Sequence, residues 1–460
     1  MTQTKLPKRI STALVNALGS GVVPRLGVEH IAVGRDRELA TLSHDLSNIE
    51  AGGASFRFVI GRYGAGKSFL LQLLRSQALE QGFVVADADI TPERRLAGAG
   101  GASLATYREL LHHLSTKSRP DGGALQTILE RWIAAIQTQV AQDSGKRPND
   151  EGFDSEVEAK IREVTQDVAD LVNGFEFANV IIAYWTGYRS DNEAQKEAAL
   201  RWLRGEFATK TEAKSALGVR VIVDDETWYD YIKLLAKFVA DIGYKGLIVL
   251  LDEAIHLTKI TTTVTRQNNY DKLLAMFNDT MQGRVSYLGI IVGGTPQFLE
   301  DPRRGLYSDP AWQRRTSQNR LLSQSGLTDA IAPVVRLEPL SHGQLLELLQ
   351  RLAEIHRSHY DYAKPVAPKD LQQILQTMTD RLGAEALLTP GELVRDVIGV
   401  LNVLHQNPNL SVSQLLQTTR NQPERNAAAP TEAEPNSSKP NSSKPMGTPM
   451  VTPEFAEFTL

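Results

Sequence analysis

From Lys8, apolar residues recur at helical spacing in KRISTALVNAL; GSGVVPRLG breaks the pattern with glycine and proline, and HIAVGRDRELATLSHDLSNI resumes it. This predicts a helical leader over about residues 1–45, ahead of the first core strand. The segment SFRFVIGRYGAGKSFLLQLLRSQALEQ then reads as a short apolar strand, a glycine-rich loop and an amphipathic helix, followed by a second strand in FVVADADI. An α/β fold starts here. Between about Leu104 and Lys245 helical periodicity dominates, clearest in TILERWIAAIQTQVAQ, DSEVEAKIREVTQDVADLV and NEAQKEAALRWLRGEFAT, which predicts a large helical insertion. Strands return at LIVLLDEAI and VSYLGIIVGGT, continuous apolar runs of the kind a parallel sheet covered on both faces requires. At least four core strands are therefore expected within residues 46–338.

Beyond Pro339 the pattern is helical in SHGQLLELLQRLAEIHRSHY, PKDLQQILQTMTDRL and TPGELVRDVIGVLNVLHQNP, each bounded by proline, glycine or a capping residue. A helical lid over residues 339–421 fits this stretch. From about Gln422 the chain turns to Pro, Ala, Ser, Asn and Glu with the direct repeat PNSSKPNSSKP, too little apolar surface to offset ordering entropy, so residues 422–460 are expected to be a disordered tail. Its last residues, PEFAEFTL, carry Phe455, Phe458 and Leu460, and read equally as a short docking peptide or as a frayed end.

Composition narrows the classes. At 460 residues, with 42% hydrophobic and 23% charged, the chain has room for two or three domains and is neither wholly disordered nor fibrous. No run approaches the roughly 20 apolar residues of a membrane span, and MTQTKLPKRIST lacks the apolar core of a secretory signal, so a cytoplasmic location without membrane partners is expected. Zero cysteines exclude disulfides, thiolate metal sites and thiol nucleophiles, and the nine histidines show no HExxH spacing. A net charge of −4 argues against a strongly basic nucleic-acid coat while leaving room for a local basic groove.

Gly61-Arg62-Tyr63-Gly64-Ala65-Gly66-Lys67-Ser68 satisfies G-x-x-x-x-G-K-[ST], and it lies between a predicted strand and a predicted helix. Glycines let the backbone curl so that N–H groups from Gly61, Gly64, Ala65 and Gly66 through Phe69 face phosphate oxygens, and the following helix adds the positive end of its dipole. Lys67 would meet the β- and γ-phosphates, and Ser68 would offer a hydroxyl to Mg²⁺, a hard cation that prefers oxygen. LIVLLDEAIHL supplies the complementary half: Asp252 and Glu253 sit at a strand's carboxyl end, where open α/β sheets bind ligands. Asp252 can hold the water shell of Mg²⁺, and Glu253 can deprotonate water for in-line attack on the γ-phosphate. No NKxD motif occurs, which favours ATP over GTP. Thr295, ending the strand GIIVGGT, is a candidate to reach the γ-phosphate or the attacking water. In DPRRGLYSDPAWQRRTSQNRL, Arg304, Arg314 and Arg315 are the leading candidates, with Arg303 and Arg320 beside them, to stabilise transition-state charge from a neighbouring subunit, and a solvated basic face or a DNA-backbone contact is the alternative. Arg395, on the helix after Thr389-Pro390, is a candidate to reach the nucleotide from the lid.

A strand-loop-helix with GKS, a DE strand, a polar-ended next strand and a helical lid together resemble an AAA+ type P-loop ATPase. More narrowly, GVVPRLGVEHIAVGRDREL, SFRFVIGRYGAGKSFLL, TPERRL, ALRWLRGE, GYKGLIVLLDEAIHL, LLAMFNDTMQG, YLGIIVGGTPQFLEDPRRGLY and TPGELVRDVIGVLN are similar to the ATP-binding proteins of BREX-type bacterial phage-defence islands, the BrxC/BrxD group, over about Lys8 to Gln417. The resemblance implies an AAA+ core with a large helical insertion, use of ATP and Mg²⁺, and work beside other defence or DNA-processing proteins. That group often carries an arginine where Gly391 stands here, a departure that counts against a second lid arginine beside Arg395. The leading expectation is an ATPase switch or motor, working as a homo-oligomer. An ATP-gated DNA binder resembling replication initiators and a scaffold that uses ATP only for stability stay open beside it. A small-molecule kinase is disfavoured, because the acidic pair suits water as the acceptor.

Overall fold

The computed structural model describes residues 6–165, 171, 173–317, 329–362, 365–382 and 389–420. The proposed tail with its PEFAEFTL peptide, Arg320 and the end of DSEVEAKIREVTQDVADLV lie outside the described residues.

Five strands, β1 (Ala54–Ile60), β2 (Val84–Asp89), β3 (Leu247–Asp252), β4 (Leu288–Gly294) and β5 (Val334–Arg336), form one sheet in the order β2-β3-β4-β1-β5. Every pairing is parallel. The continuous apolar runs are what bury both faces. Phe56, Phe58, Ile60, Val249, Leu251, Ile290 and Val292 point into one core, while Val59, Ile248, Leu250 and Ile291 point into another on the opposite face. The second core is closed by α2 (Asp36–Glu50) and α3 (Lys67–Gln81) through Leu42, Leu46, Leu70, Leu71 and Leu74. This is a parallel α/β sheet in which the loop-bearing strand β1 and the acid-bearing strand β3 are separated by β4. The fifth strand has only three half-buried residues, paired with Phe58–Ile60.

Between β2 and β3 the chain is helical. Helices at Ala102–His112, Leu125–Ser144, Phe153–Val164, Gly174–Arg189, Glu193–Leu203, Lys210–Leu217 and Trp228–Asp241 are described there. They share the first core with the sheet, joined by edge-on aromatic pairs such as Trp132–Phe238 and Trp202–Tyr231, with ring centroids 5.1 and 5.3 Å apart. Each such pair adds about 0.5–1.5 kcal/mol to its area burial.

The leader divides between two neighbours. Its first helix, α1 (Lys8–Gly19), places Leu14, Val15 and Leu18 in a third core with Leu345, Leu349, Leu393 and Val397 of the carboxyl-terminal helices His342–Tyr360 and Pro390–Gln406. Its second helix, α2, runs through residue 45 without a break and lies on β1 and β4. The turn between them uses Gly34 at φ +65°, where a β-carbon would run into Leu340 and Gln344 of the lid. The amino-terminal and carboxyl-terminal helices therefore meet over the carboxyl ends of the strands.

Candidate functional site

At the end of β1, the Gly61 N–H donates to the Gly294 carbonyl of β4 (3.1 Å), and the chain then turns through Gly64 (φ +74°) and Gly66 (φ +93°) into α3, which opens at Lys67. Both angles lie in the left-handed region that glycine enters without steric cost. The first N–H groups of α3 have no carbonyl partners within their own helix, so they stand ready for an anion. Lys67 is 7% exposed and donates to the Arg62 carbonyl at 3.1 Å, its ammonium curled back over the loop. Burial pushes its pKa below the ordinary lysine value, and Asp252 and Glu253 oppose that shift.

Ser68 donates its hydroxyl to Oδ2 of Asp252, and Oδ1 of the same carboxylate accepts the Glu253 N–H at 2.8 Å. Asp252 is 9% exposed, at the end of β3. Glu253 follows at φ +55°, a left-handed conformation that strains a non-glycine residue and is found where a fold fixes a functional side chain. Its carboxyl pKa is raised, first by burial and then by the charge of Asp252, against the pull of Lys67 and His256. Sequence reasoning paired these acids with the loop, and the sheet order brings them together.

The loop opens into a cleft of about 370 Å³ lined by Gly64 through Phe69, Glu253 and Arg395. Its apolar wall comes from Leu18, Ile31, Val33, Leu340, Leu348 and Val394, contributed by leader and lid. A neighbouring cleft of about 270 Å³ shares Ser68 and Glu253 and adds Asp252 and Asp89. Asp89 pairs with Asp252 in the β2–β3 register, and its pKa is raised by burial and then by Asp252. The hydroxyl and carboxylate oxygens of Ser68 and Asp252 form a hard donor pair suited to Mg²⁺, which keeps several waters and needs only one or two protein ligands. Among the described residues no group of three or more His, Cys, Asp or Glu could hold a metal ion.

Two contacts around the loop were not signalled by the motif. Arg35, 5% exposed, donates Nη2 to the Ala65 carbonyl and Nη1 to the Glu338 carbonyl, both at 2.9 Å, and pairs with Glu38 at 3.1 Å. The Gly391 N–H donates to the Gly64 carbonyl at 3.2 Å, and Thr389 packs so tightly there that Gly64 has no room for a β-carbon.

The remaining candidates are scattered. Thr295, just beyond β4, accepts the Phe298 N–H at 3.2 Å and caps the short helix Pro296–Glu300, leaving its hydroxyl proton free to donate elsewhere. Arg304 donates to the Thr258 and Ile260 carbonyls at 2.8 and 2.9 Å, so its guanidinium is engaged within its own chain. Arg314 and Arg315 are exposed on the helix Pro310–Thr316, and Arg315 bonds the Ala311 carbonyl of the same helix. Arg395 faces the cleft but also bonds Asp396 at 3.2 Å. No helix among the described residues is long and apolar enough to cross a membrane.

No curated protein matches the chain. Among solved structures it is similar to the ORC2 protein of Aeropyrum pernix, solved as ADPNP–ADP complexes, with 14% identity over 82% of this chain and 70% of that one. The TM-score is 0.27. Residues 6–420 match the family described as BREX system ATP-binding protein BrxC/D. With that match spanning the loop, the acidic strand, the insertion and the lid, the chain belongs to the BREX system ATP-binding protein BrxC/D family.

Proposed function

We propose that this ATP-binding protein hydrolyses ATP to ADP and phosphate with Mg²⁺, and that the cycle works as a switch or motor on other BREX proteins. The observation that carries the reading is Glu253, held at a strained backbone angle beside Asp252 and within electrostatic reach of Lys67. The adenine base would lie against the apolar wall of leader and lid, including Leu18, Val33 and Leu348. Gly61, Gly64, Ala65, Gly66, Ser68 and Phe69 would enclose the phosphates, and the Lys67 ammonium would neutralise β- and γ-oxygens. Ser68 directly, and Asp252 through water, would hold Mg²⁺, which withdraws charge from those oxygens.

Glu253 takes a proton from the attacking water as the new oxygen–phosphorus bond forms at the γ-phosphate and the bond to the β-phosphate oxygen breaks. Thr295 would orient that water through its free hydroxyl proton, and Arg395 would follow the phosphates from the lid. The best trans candidates are Arg314 and Arg315, because both are exposed, and this makes a homo-oligomer part of the proposal. DNA is one substrate such a motor would act on.

Calorimetry with MgATP and phosphate release test the reading together. Lys67→Ala should abolish the binding heat, while Glu253→Gln should bind and lose turnover. A Glu253→Gln protein hydrolysing at the parent rate would remove Glu253 as the base, and no heat from the parent protein would remove the ATP reading of the loop.

A further inference from the structure

We infer that Arg35 is a positioning residue that fixes the direction of a phosphate-loop amide and ties that loop to the root of the lid. The inference rests on the loop as the triphosphate cradle and adds a group on the cleft wall that sets its shape. Three observations carry it.

First, the Arg35 guanidinium binds the Ala65 carbonyl, and Ala65 precedes Gly66 at the mouth of α3. A trans peptide points its carbonyl and its N–H in opposite directions, so anchoring Ala65 O on Arg35 aims the Gly66 N–H away from Arg35 and holds it there. A loop of glycines has many backbone states, and an amide held in one of them before the ligand arrives binds more tightly than one that must be ordered.

Second, the same guanidinium binds the Glu338 carbonyl, between β5 and the lid helix His342–Tyr360. The residue before it, Gly34, lies against Leu340 and Gln344 with no room for a β-carbon. Movement of the lid root therefore pulls on the group that holds the loop.

Third, the arginine itself is fixed. It is 5% exposed, it starts α2 on the sheet, and Glu38, one turn on, pairs with its Nη1. A planar fork holds its donors in fixed, well-separated directions toward two carbonyls and a carboxylate, a spread that the compact ammonium of lysine does not reproduce. The carboxyl-terminal helices hold the adjacent carbonyl, Gly64 O, through the Gly391 N–H, so of two successive loop carbonyls one is held by those helices and the next by the arginine that also holds their root.

The test uses the full chain with Arg35→Gln, Arg35→Lys and Glu38→Gln. Calorimetric affinity for MgADP and MgATP should fall about tenfold or more in Arg35→Gln, the size expected for losing a charged hydrogen bond, and Arg35→Lys should recover part of it. Amide hydrogen exchange without nucleotide should rise in Arg35→Gln at residues 61–68 and 338–345 together, and stay at the parent level in the helix Trp228–Asp241. A folded Arg35→Gln with parent affinity, or faster exchange at the loop without the lid root, would overturn the inference. So would an exchange increase spread evenly over the chain, which marks a merely structural arginine. If Arg35→Gln does not fold, Glu38→Gln decides: a smaller change of the same pattern supports the tie, and parent behaviour removes it. The exchange arm needs no ligand, so a parent protein that fails to bind nucleotide defeats the ATP reading and leaves the loop-to-lid tie to be judged separately.

Discussion

Gly293 on β4 and Asp252 on β3 stand so close that a β-carbon on the glycine would overlap Oδ1 of the carboxylate. That oxygen accepts the Glu253 N–H, and its twin receives the Ser68 hydroxyl. One absent methyl group therefore sets where the acidic pair stands. Gly293 has no positive φ, so alanine there costs displacement of Asp252 and little backbone strain. Gly293→Ala should fold, with a stability loss of about 1–3 kcal/mol from overpacking. Phosphate release titrated against Mg²⁺ should show a higher metal requirement and a lower maximal rate. An unchanged Mg²⁺ titration would separate Asp252 from the metal.

With Glu253 as the proposed base, its raised carboxyl pKa would give hydrolysis an acid limb with a defined sign. A general base must be deprotonated, so turnover falls as pH drops through its pKa. Burial and the Asp252 charge lift that pKa above the ordinary glutamate value of 4.5, so the limb should appear above 4.5 in kcat/KM. Asp89 also raises it, as the last of five influences. Asp89→Asn should shift the limb slightly to lower pH, read from a pH series of phosphate release. A limb unmoved, or moved upward, would take Asp89 out of the electrostatics of the base.

What could be read in the sequence follows from how local each feature is. The phosphate loop is written in eight consecutive residues, and the acidic pair follows an unbroken apolar strand, so both are legible in the sequence. The left-handed angle of Glu253 has no sequence signal, because nothing in LIVLLDEAI marks a non-glycine residue for positive φ. β5 was missed because VVR is too short for a period and prolines flank it; its pairing with Phe58–Ile60 makes it a strand. The docking of α1 on the lid joins Leu14 to Leu393 across most of the chain, beyond the reach of any window of periodicity. Arg35 was hidden for another reason: GRDREL was visible, but the partners of its arginine are the backbone oxygens of Ala65 and Glu338, which no residue type announces.

A buried histidine in the carboxyl-terminal helices predicts a pH dependence of stability. His356 is fully buried, with Nδ1 3.1 Å from the Tyr362 hydroxyl and Nε2 3.0 Å from Oδ1 of Asn402. A neutral ring satisfies both, since Nε2–H donates to Asn402 and Nδ1 accepts from Tyr362. Burial lowers its pKa, His405 and His359 add to the effect, and the Asn402 bond opposes it. His359 is lowered as well, by burial and then by Lys8. A folded value below the free value of 6.5 means the unfolded chain takes up protons first as pH falls, so stability is full above 6.5 and declines below it. Thermal unfolding should show Tm falling as pH drops below about 6.5, and His356→Gln should flatten that slope. An equal slope in the variant would place the dependence elsewhere.

Arg304, Arg314 and Arg315 are close in sequence but differ in what they touch, and that difference separates a structural arginine from a trans-acting one. Arg304 donates through Nε and Nη2 to the Thr258 and Ile260 carbonyls, and Arg266 donates to the Ile260 carbonyl as well at 2.8 Å. These bonds hold the turn that follows the acidic pair, and Tyr270 fixes the Arg304 backbone by donating its hydroxyl to the carbonyl there. Removing the guanidinium leaves two carbonyls without it, so Arg304→Ala should cost about 2 kcal/mol of stability in urea unfolding, regardless of protein concentration. Turnover would then fall because the turn beside Glu253 loosens. Arg314→Ala and Arg315→Ala, on an exposed helix face, should stay within about 0.5 kcal/mol of the parent. If either supplies charge to a neighbour's nucleotide, its turnover should fall most where the parent's rate per subunit rises with concentration, and mixing with Glu253→Gln subunits should restore part of the rate. That restoration requires the alanine subunit to keep its own base while borrowing the other's arginine, so it reports directly on a site shared between two copies. An Arg304→Ala protein of parent stability whose turnover is rescued in such mixtures would reverse the assignment and make Arg304 the residue that reaches across.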